Sequence, residues 1–197
     1  MAKGRLEAFS DGVIAIIITI MVLELKVPHA ENGAAALADL VPLIPVFISY
    51  VLSFVFVAIY WNNHHHLLHV AGRVTGGILW ANIHLLFWLS LVPFVTAWMG
   101  ENHFAALPVA LDGGVRLMCG IAYTLLARTL IGSEGPDSVL ARAMGDDTKG
   151  RISLLLYALA MPLAFMNRWV ALALYFVVAA MWLLPDRRIE REVAAPR

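Results

Sequence analysis

Histidine is concentrated in one part of the chain, and it is the residue type here best suited to metal or proton chemistry. Five histidines lie close together in the sequence: His64, His65, His66, His69 and His84. His65 and His69 are four residues apart, so both imidazoles would share one helical face, and such a pair can hold zinc or copper. No cysteine or carboxylate lies between Asp39 and Glu101 to complete a metal site. We therefore favour hydrogen-bonding histidines and predict no resident metal or cofactor.

A second group of polar residues opens the first apolar segment of the chain. The string Arg5-Leu6-Glu7-Ala8-Phe9-Ser10-Asp11 precedes an uncharged run from Gly12 to Leu23. An ionisable side chain near the centre of a membrane helix costs roughly 2.5–3.5 kcal/mol on insertion scales. These charges must therefore be shallow, paired or in contact with water. We expect Glu7 at a membrane interface and Asp11 in a structural network with other helices.

The uncharged run carries one stripe of residues at helical spacing. Side chains three and four positions apart share a face of a helix, and the stripe consists of Gly12, Ile16, Thr19 or Ile20, and Leu23. Such a stripe is suited to line a pore. It is equally suited to face lipid or to pack on a neighbouring helix, and spacing alone does not separate these interpretations.

The composition indicates that the elements carrying these residues are membrane helices. Of the 197 residues, 61% are hydrophobic and only 14% are charged, whereas soluble domains are about half apolar and a quarter charged. The formal net charge of zero gives no reason to expect nucleic acid as a partner. Cys119 is the one cysteine in the sequence, which excludes an intrachain disulfide.

Hydropathy predicts an all-α integral membrane protein with a single domain over residues 1–197 and six transmembrane helices. A span needs about 20 apolar residues to cross a hydrocarbon core of about 30 Å. The predicted spans cover residues 5–25, 40–64, 78–99, 105–130, 152–165 and 169–184. Only Met166-Asn167-Arg168 separates the last two spans, which predicts a tight helical hairpin.

The distribution of basic residues predicts the orientation in the membrane. Loops rich in lysine and arginine stay cytoplasmic. With both termini inside, only Lys26, Arg116 and Arg168 of the 14 basic residues fall outside the cytoplasmic segments. We therefore predict cytoplasmic termini and a cytoplasmic loop over residues 132–150.

Several of these residues together resemble a known membrane family. The pattern of Arg5, Phe9, Ser10 and Asp11 at the start of a membrane helix resembles the signature of the transmembrane protein 175 family of potassium channels. The tryptophan and histidine string that ends the second span, and Trp80, Asn82 and Pro93-Phe94 in the third, are similar to bacterial members.

The resemblance implies a homotetramer of six-helix subunits in a cell membrane, with the four first helices around a pore for potassium ions. It implies a leak-type channel, not an enzyme, with an aliphatic constriction in place of a carbonyl filter. The residues implied for the constriction are Ile16, Ile20 and Leu23, and the residue implied for a selectivity layer is Thr19. A structural network at the pore helix would contain Arg5, Phe9, Ser10, Asp11, His65, Trp80 and Asn82.

Two other classes of protein remain open at this point. A secondary transporter or a histidine-dependent metal carrier would use the histidines near a membrane face, but the spans lack the matched broken helices that such carriers usually contain. A membrane enzyme is the weaker alternative, because apart from histidine the sequence offers no catalytic motif. The roles of His66 and Arg116 are left unassigned by the resemblance.

Overall fold

The structure is a computed structural model that describes residues 2–28, 36–135, 138–145 and 147–183. All of its regular elements within these residues are helices. The α-helices are α1 (Lys3–Ile20), α2 (Ile44–Val70), α3 (Gly76–Ser90), α4 (Val92–Glu101), α5 (Ala106–Glu134), α6 (Val139–Met144), α7 (Thr148–Met166) and α8 (Arg168–Leu183). Two 3-10 helices, Met21–Glu24 and Leu37–Leu43, extend α1 and precede α2.

Five stretches of the described chain are long and apolar enough to cross a membrane. They are Lys3–Glu24, Leu37–Val70, Gly76–Glu101, Ala106–Glu134 and Thr148–Met166. The last predicted span corresponds to the shorter apolar helix α8, and its final residue, Leu184, lies outside the described residues, as do the basic residues from Arg187 onward. The described chain is therefore an all-helical bundle with five candidate spans and one shorter apolar helix.

The helices run further than the apolar stretches that predict them. α2 continues through all of its histidines to Val70, and α5 continues to Glu134. Hydropathy marks only the part of a helix that can lie in hydrocarbon, whereas polar residues can prolong the same helix into the headgroup region and water. The predicted loop over residues 132–150 consequently starts inside α5, and it contains the short helix α6.

The third predicted span is interrupted near its middle. α3 ends at Ser90 and α4 begins at Val92, with Leu91 between them. Pro93 has no backbone N–H and its ring crowds the preceding turn, so the carbonyl of Leu89 loses its usual helical donor. The proline noted in the sequence therefore marks the break.

α5 is the central helix of the bundle. It packs against α3, α4, α7 and α8, and small residues on its surface allow close approach. A Cβ at Gly113 would collide with the hydroxyl of Tyr175 on α8, so any larger residue there would displace the Tyr175 ring. The predicted hairpin is present and tighter than expected, because Asn167 alone separates α7 from α8 and its side-chain oxygen accepts a hydrogen bond from the Trp169 amide (3.0 Å).

Candidate functional site

Helix α1 has one face buried in the subunit and one face that is largely exposed. The buried face consists of Leu6, Ser10, Ile14, Ile17 and Met21. The opposite face carries the predicted stripe: Ile16 is 60% exposed, Ile20 41% and Leu23 73%, and Gly12 and Thr19 are also exposed. The residues predicted to line a pore therefore share the surface that α1 turns away from its own subunit.

Thr19 has a defined hydrogen-bonding state within this exposed stripe. Its Oγ1 donates to the carbonyl of Ala15 (2.9 Å) or Ile16 (3.0 Å) in the preceding turn. A hydroxyl has one donor proton and two acceptor lone pairs. Because the proton is used inside the helix, the lone pairs of Thr19 are left to accept a donor or to coordinate a cation.

A buried polar chain fixes the other face of α1 to α3 and α2. The side-chain amide of Asn82 donates to Ser10 Oγ (2.9 Å), and the Asn82 oxygen lies 2.7 Å from Nε2 of His64. Ser10 in turn donates to the carbonyl of Leu6 (2.8 Å). The side chains of Ser10, Asn82 and His64 are all almost completely buried. Paired polar groups in a buried site specify one arrangement of the helices, because any other leaves them unsatisfied.

A second contact joins α1 to α2 at the edge of this network. The indole Nε1 of Trp61 donates to the carboxylate of Asp11 (3.0 Å). The ring of His65 stacks on Trp61, and the ring of His69 stacks on His65, each with centroids 6.1 Å apart. Asp11 is therefore the acceptor of a bond between helices.

The structure brings together only some of the residues predicted for the network. Ser10, Asn82 and Asp11 bond to other helices, but the buried histidine is His64, whereas His65 belongs to the exposed stack. Residue type alone cannot tell which of the three consecutive histidines is buried. Helical spacing could have resolved it, because His64 shares a face with the buried Val57, Leu67 and Leu68.

The remaining predicted network residues lie on the outside of the subunit. Phe9 is 52% exposed and Trp80 is 74% exposed, and Arg5 is exposed as well. Near them, Lys3 donates to the carbonyl of His69 (2.5 Å) and lies 3.9 Å from Glu7. Arg5, Phe9 and Trp80 thus have no place in the buried network of a single subunit.

Sequence reasoning missed a buried ion pair on α5. Nε of Arg116 lies 2.5 Å from the Asp112 carboxylate, and Nη2 lies 3.3 Å from its second oxygen. Nη2 also donates to Ser53 on α2 (2.9 Å), and the guanidinium carbon lies 4.4 Å from the centroid of Phe56. The signal was available, because an acid four residues before a base places the two on one helical face. The arrangement ties α5 to α2 in the interior of the bundle.

Another ion pair lies at the other end of α1. Nζ of Lys26 is 3.0 Å from the carboxylate of Glu101, at the end of α4. The hydrogen bond to Glu101 and the negative charge of Glu101 raise the pKa of the Lys26 ammonium. Both side chains are largely in water, so this pair contributes little to stability.

The described part of the chain offers no cluster suited to a metal ion. No group of three or more histidine, cysteine, aspartate or glutamate side chains converges there. His84 accepts a hydrogen bond from the Trp88 indole (3.0 Å), which leaves its Nδ1 buried without a partner among the described residues. The histidines of α2 and α3 therefore act as hydrogen-bonding and stacking groups in this structure.

Comparisons with known proteins place this arrangement in one family. The family model described as "Endosomal/lysosomal potassium channel TMEM175" matches residues 5–93, which contain α1 from Arg5 onward, the network and the break at Leu91. A potassium channel of Chryseobacterium sp. (strain P1-3) is 51% identical over 98% of both chains. A potassium channel of Streptomyces collinus is 32% identical, again over 98% of both chains.

A solved structure shares the fold. The crystal structure of a lysosomal potassium-selective channel TMEM175 homologue from Chamaesiphon minutus superposes with a TM-score of 0.80. It has 28% sequence identity and covers 93% of this chain and 97% of that chain. The helical bundle and these full-length matches define a membrane ion channel. The chain belongs to the TMEM175 family of potassium channels.

Proposed function

We propose that this protein is a potassium-selective leak channel in which the α1 helices of four identical subunits surround the pore. The observation that carries the proposal is that α1 has two different faces. One face is hydrogen-bonded to α2 and α3, and the opposite face, called the bare face below, is exposed. The bare face contains Ile16, Thr19, Ile20 and Leu23 in one continuous stripe. A helix that is fixed on one side and uncovered on the other is suited to meet its symmetry copies around an axis.

The presence of Thr19 favours a pore over lipid as the neighbour of this stripe. A purely lipid-facing stripe needs no oxygen, whereas a pore gains from one. The Thr19 hydroxyl proton points back into the helix, so its lone pairs are available to a passing cation and replace part of its hydration shell.

We assign the aliphatic constriction to Ile16, Ile20 and Leu23, with Ile16 as the discriminating layer. A narrow hydrophobic ring removes water from a permeating ion, and this penalises sodium more than potassium because sodium holds its water more tightly. Potassium is then the permeant ion, with no cofactor taking part. A carbonyl filter is not required for this mechanism.

The buried network acts on the pore indirectly, by setting the rotation of α1. Ser10 and Asp11 fix the helix against α2 and α3, and that contact directs Ile16 and Thr19 to the opposite side. We propose that the exposed Arg5, Phe9 and Trp80 complete this network at contacts between subunits. In this scheme none of these residues touches the ion.

The proposed channel lies in a cell membrane with six spans per subunit, α8 serving as the last of them, and with both termini in the cytoplasm. The preference of cytoplasmic loops for basic residues supports this orientation. The surrounding bilayer is the partner of the remaining exposed apolar surface.

Cysteine substitution tests the proposed pore surface. Cys119 is buried and is the only cysteine in the chain, so a Cys119→Ala background gives a clean starting point. Single cysteines at Ile16 and Leu23 should react with small charged thiol reagents and lose potassium flux. A cysteine at Ile14, which is completely buried on the opposite face of α1, is the matched control and should stay unreactive.

The two outcomes decide whether α1 lines the permeation path. Block at Ile16 and Leu23, with none at Ile14, supports a pore along the bare face of α1. Unchanged flux after complete modification at Ile16 and Leu23 would place the permeation path elsewhere.

A further inference from the structure

A crevice away from the α1 face enters the subunit between α2, α5, α7 and α8. Its volume is about 50 Å³. Aromatic rings dominate its wall, with a few hydroxyl groups among them: Phe56, Tyr60, Tyr123, Ser153, Tyr157 and Trp182. Neither the proposed pore nor the network uses these residues as a group. The crevice is therefore a separate feature of the subunit.

The crevice begins at one end of the bundle and reaches towards its middle. Asp147 and Gly150 line it at the start of α7, and Tyr157 lines it further along the same helix. Seven residues of helix separate Gly150 from Tyr157, which corresponds to roughly 10 Å along the axis. A water needs about 10–15 Å³ of such volume, so the space matches three to five waters or an organic molecule with about as many heavy atoms.

Two hydroxyl groups in the crevice have unused hydrogen-bonding capacity. Tyr60 and Tyr157 both line the space, and the tyrosine hydroxyls that bond to another described residue in this region are those of Tyr123 and Tyr175, not these two. By contrast, Tyr123 donates to the carbonyl of Asn63 (3.3 Å) and Tyr175 donates to that of Val109 (2.8 Å). Polar groups in a bundle interior normally have hydrogen-bond partners. An occupant with an acceptor oxygen would give the hydroxyl of Tyr60 or Tyr157 such a partner.

The charges around the crevice favour a neutral occupant over an ion. The Asp147 carboxylate accepts from the Gly150 amide (3.2 Å) at the start of α7, so the positive end of that helix already compensates its charge. At the inner end, the Arg116 guanidinium already covers the ring of Phe56. That guanidinium is itself paired with the Asp112 carboxylate, so neither an organic cation nor an anion would find an uncompensated opposite charge beside the crevice.

We propose that this crevice is a binding site for a small neutral alcohol, whose apolar part lies among the aromatic rings and whose oxygen accepts from Tyr60 or Tyr157. Ser153 lies on the same wall, where it accepts from the Trp182 indole (2.8 Å). The Trp182 ring consequently reports on occupancy. An alcohol of this size is expected to bind with a dissociation constant on the order of millimolar.

The test uses the full chain in lipid nanodiscs with 5-fluorotryptophan, and 1-butanol as the probe. The fluorine resonance of Trp182, assigned with Trp182→Phe, should shift with butanol and saturate. Ala179→Leu fills the wall of the crevice and should abolish the saturable shift, whereas Ala180→Leu, on the exposed side of the same helix, should preserve it. Tyr60→Phe should weaken butanol binding roughly two- to tenfold, as expected for one lost hydrogen bond.

Three results would overturn the assignment. A linear shift that Ala179→Leu leaves unchanged would indicate partition of butanol into the bilayer. No shift of Trp182 at any concentration would mean that the crevice holds water only. Equal affinity in Tyr60→Phe, together with a matching result for Tyr157→Phe, would refute the hydroxyl contacts that define the site.

Discussion

Replacing Asp112 with leucine, while Arg116 stays in place, should destabilise the subunit more than most single substitutions. Asp112 accepts two contacts from the guanidinium, at 2.5 and 3.3 Å, and both side chains are buried. The variant leaves a guanidinium in the bundle interior whose remaining partners are the Ser53 hydroxyl and the rings of Phe56 and Tyr175, none of which carries a negative charge. A cation without its counter-ion in such a site is strongly disfavoured.

The expected magnitude follows from burial. Removing one partner of a buried ion pair typically costs 3–5 kcal/mol, which for a chain of this length corresponds to roughly 6–20 °C in the unfolding midpoint. Replacing both partners, as in Asp112→Leu with Arg116→Met, removes the uncompensated charge. The double variant then loses mainly the bond to Ser53, about 1 kcal/mol, and should recover most of the stability.

The measurement is equilibrium unfolding in mixed micelles with increasing SDS, followed by tryptophan fluorescence, for the wild type, both single variants and the double variant. We expect Asp112→Leu to be less stable than the double variant by about 2 kcal/mol or more. The reasoning is refuted if Asp112→Leu unfolds within about 1 kcal/mol of the wild type, or if the double variant is as unstable as the single one.

Three further predictions concern contacts of α1 and its surroundings. Asn82→Ala should cost about 1–3 kcal/mol in the same unfolding assay because it leaves His64 without its buried partner, while the exposed Asn62→Ala should cost less than about 0.5 kcal/mol; equal effects would contradict a buried network. Asp11→Ala removes the bond from the Trp61 indole and should lower the fraction of the proposed tetramer in size-exclusion chromatography with light scattering, and an unchanged tetramer fraction would argue against this anchor. Glu101→Gln should lower the pKa of Lys26, since the hydrogen bond and charge of Glu101 raise it, and NMR titration of the Lys26 side chain would show an unchanged pKa if the ion pair were absent in solution.

The membrane helices could be predicted from sequence because the bilayer imposes a simple rule on composition and length. The interruption at Leu91 and the extension of α5 to Glu134 were not predicted in detail. Pro93 and the polar residues beyond the apolar core cause these differences, and a hydropathy window averages over both. The short connection at Asn167 was predicted because two apolar stretches are separated there by so few residues.

The sequence indicates which polar residues form contacts between helices more readily than it indicates which residue each of them contacts. Ser10 and Asp11 drew attention because polar residues are costly inside a membrane helix, and both bond to neighbouring helices. The choice of His64 over His65 depends on which face of α2 is turned inward, and that is fixed by packing with α1 and α3. The average hydropathy of α5 hides the pair of Asp112 and Arg116, whereas their spacing of four residues places them on one helical face.

The most direct test of the pore assignment is ion flux from liposomes that contain the purified protein, with potassium and sodium gradients compared at matched ionic strength and without a proton or metal gradient. The wild type should pass potassium faster than sodium without saturation, and Ile16→Asn should reduce that preference because it places a polar ring at the constriction. The conservative Ile16→Val should keep it. Wild-type selectivity in Ile16→Asn would contradict the assignment of the constriction, and the absence of flux without a coupling ion would contradict a channel.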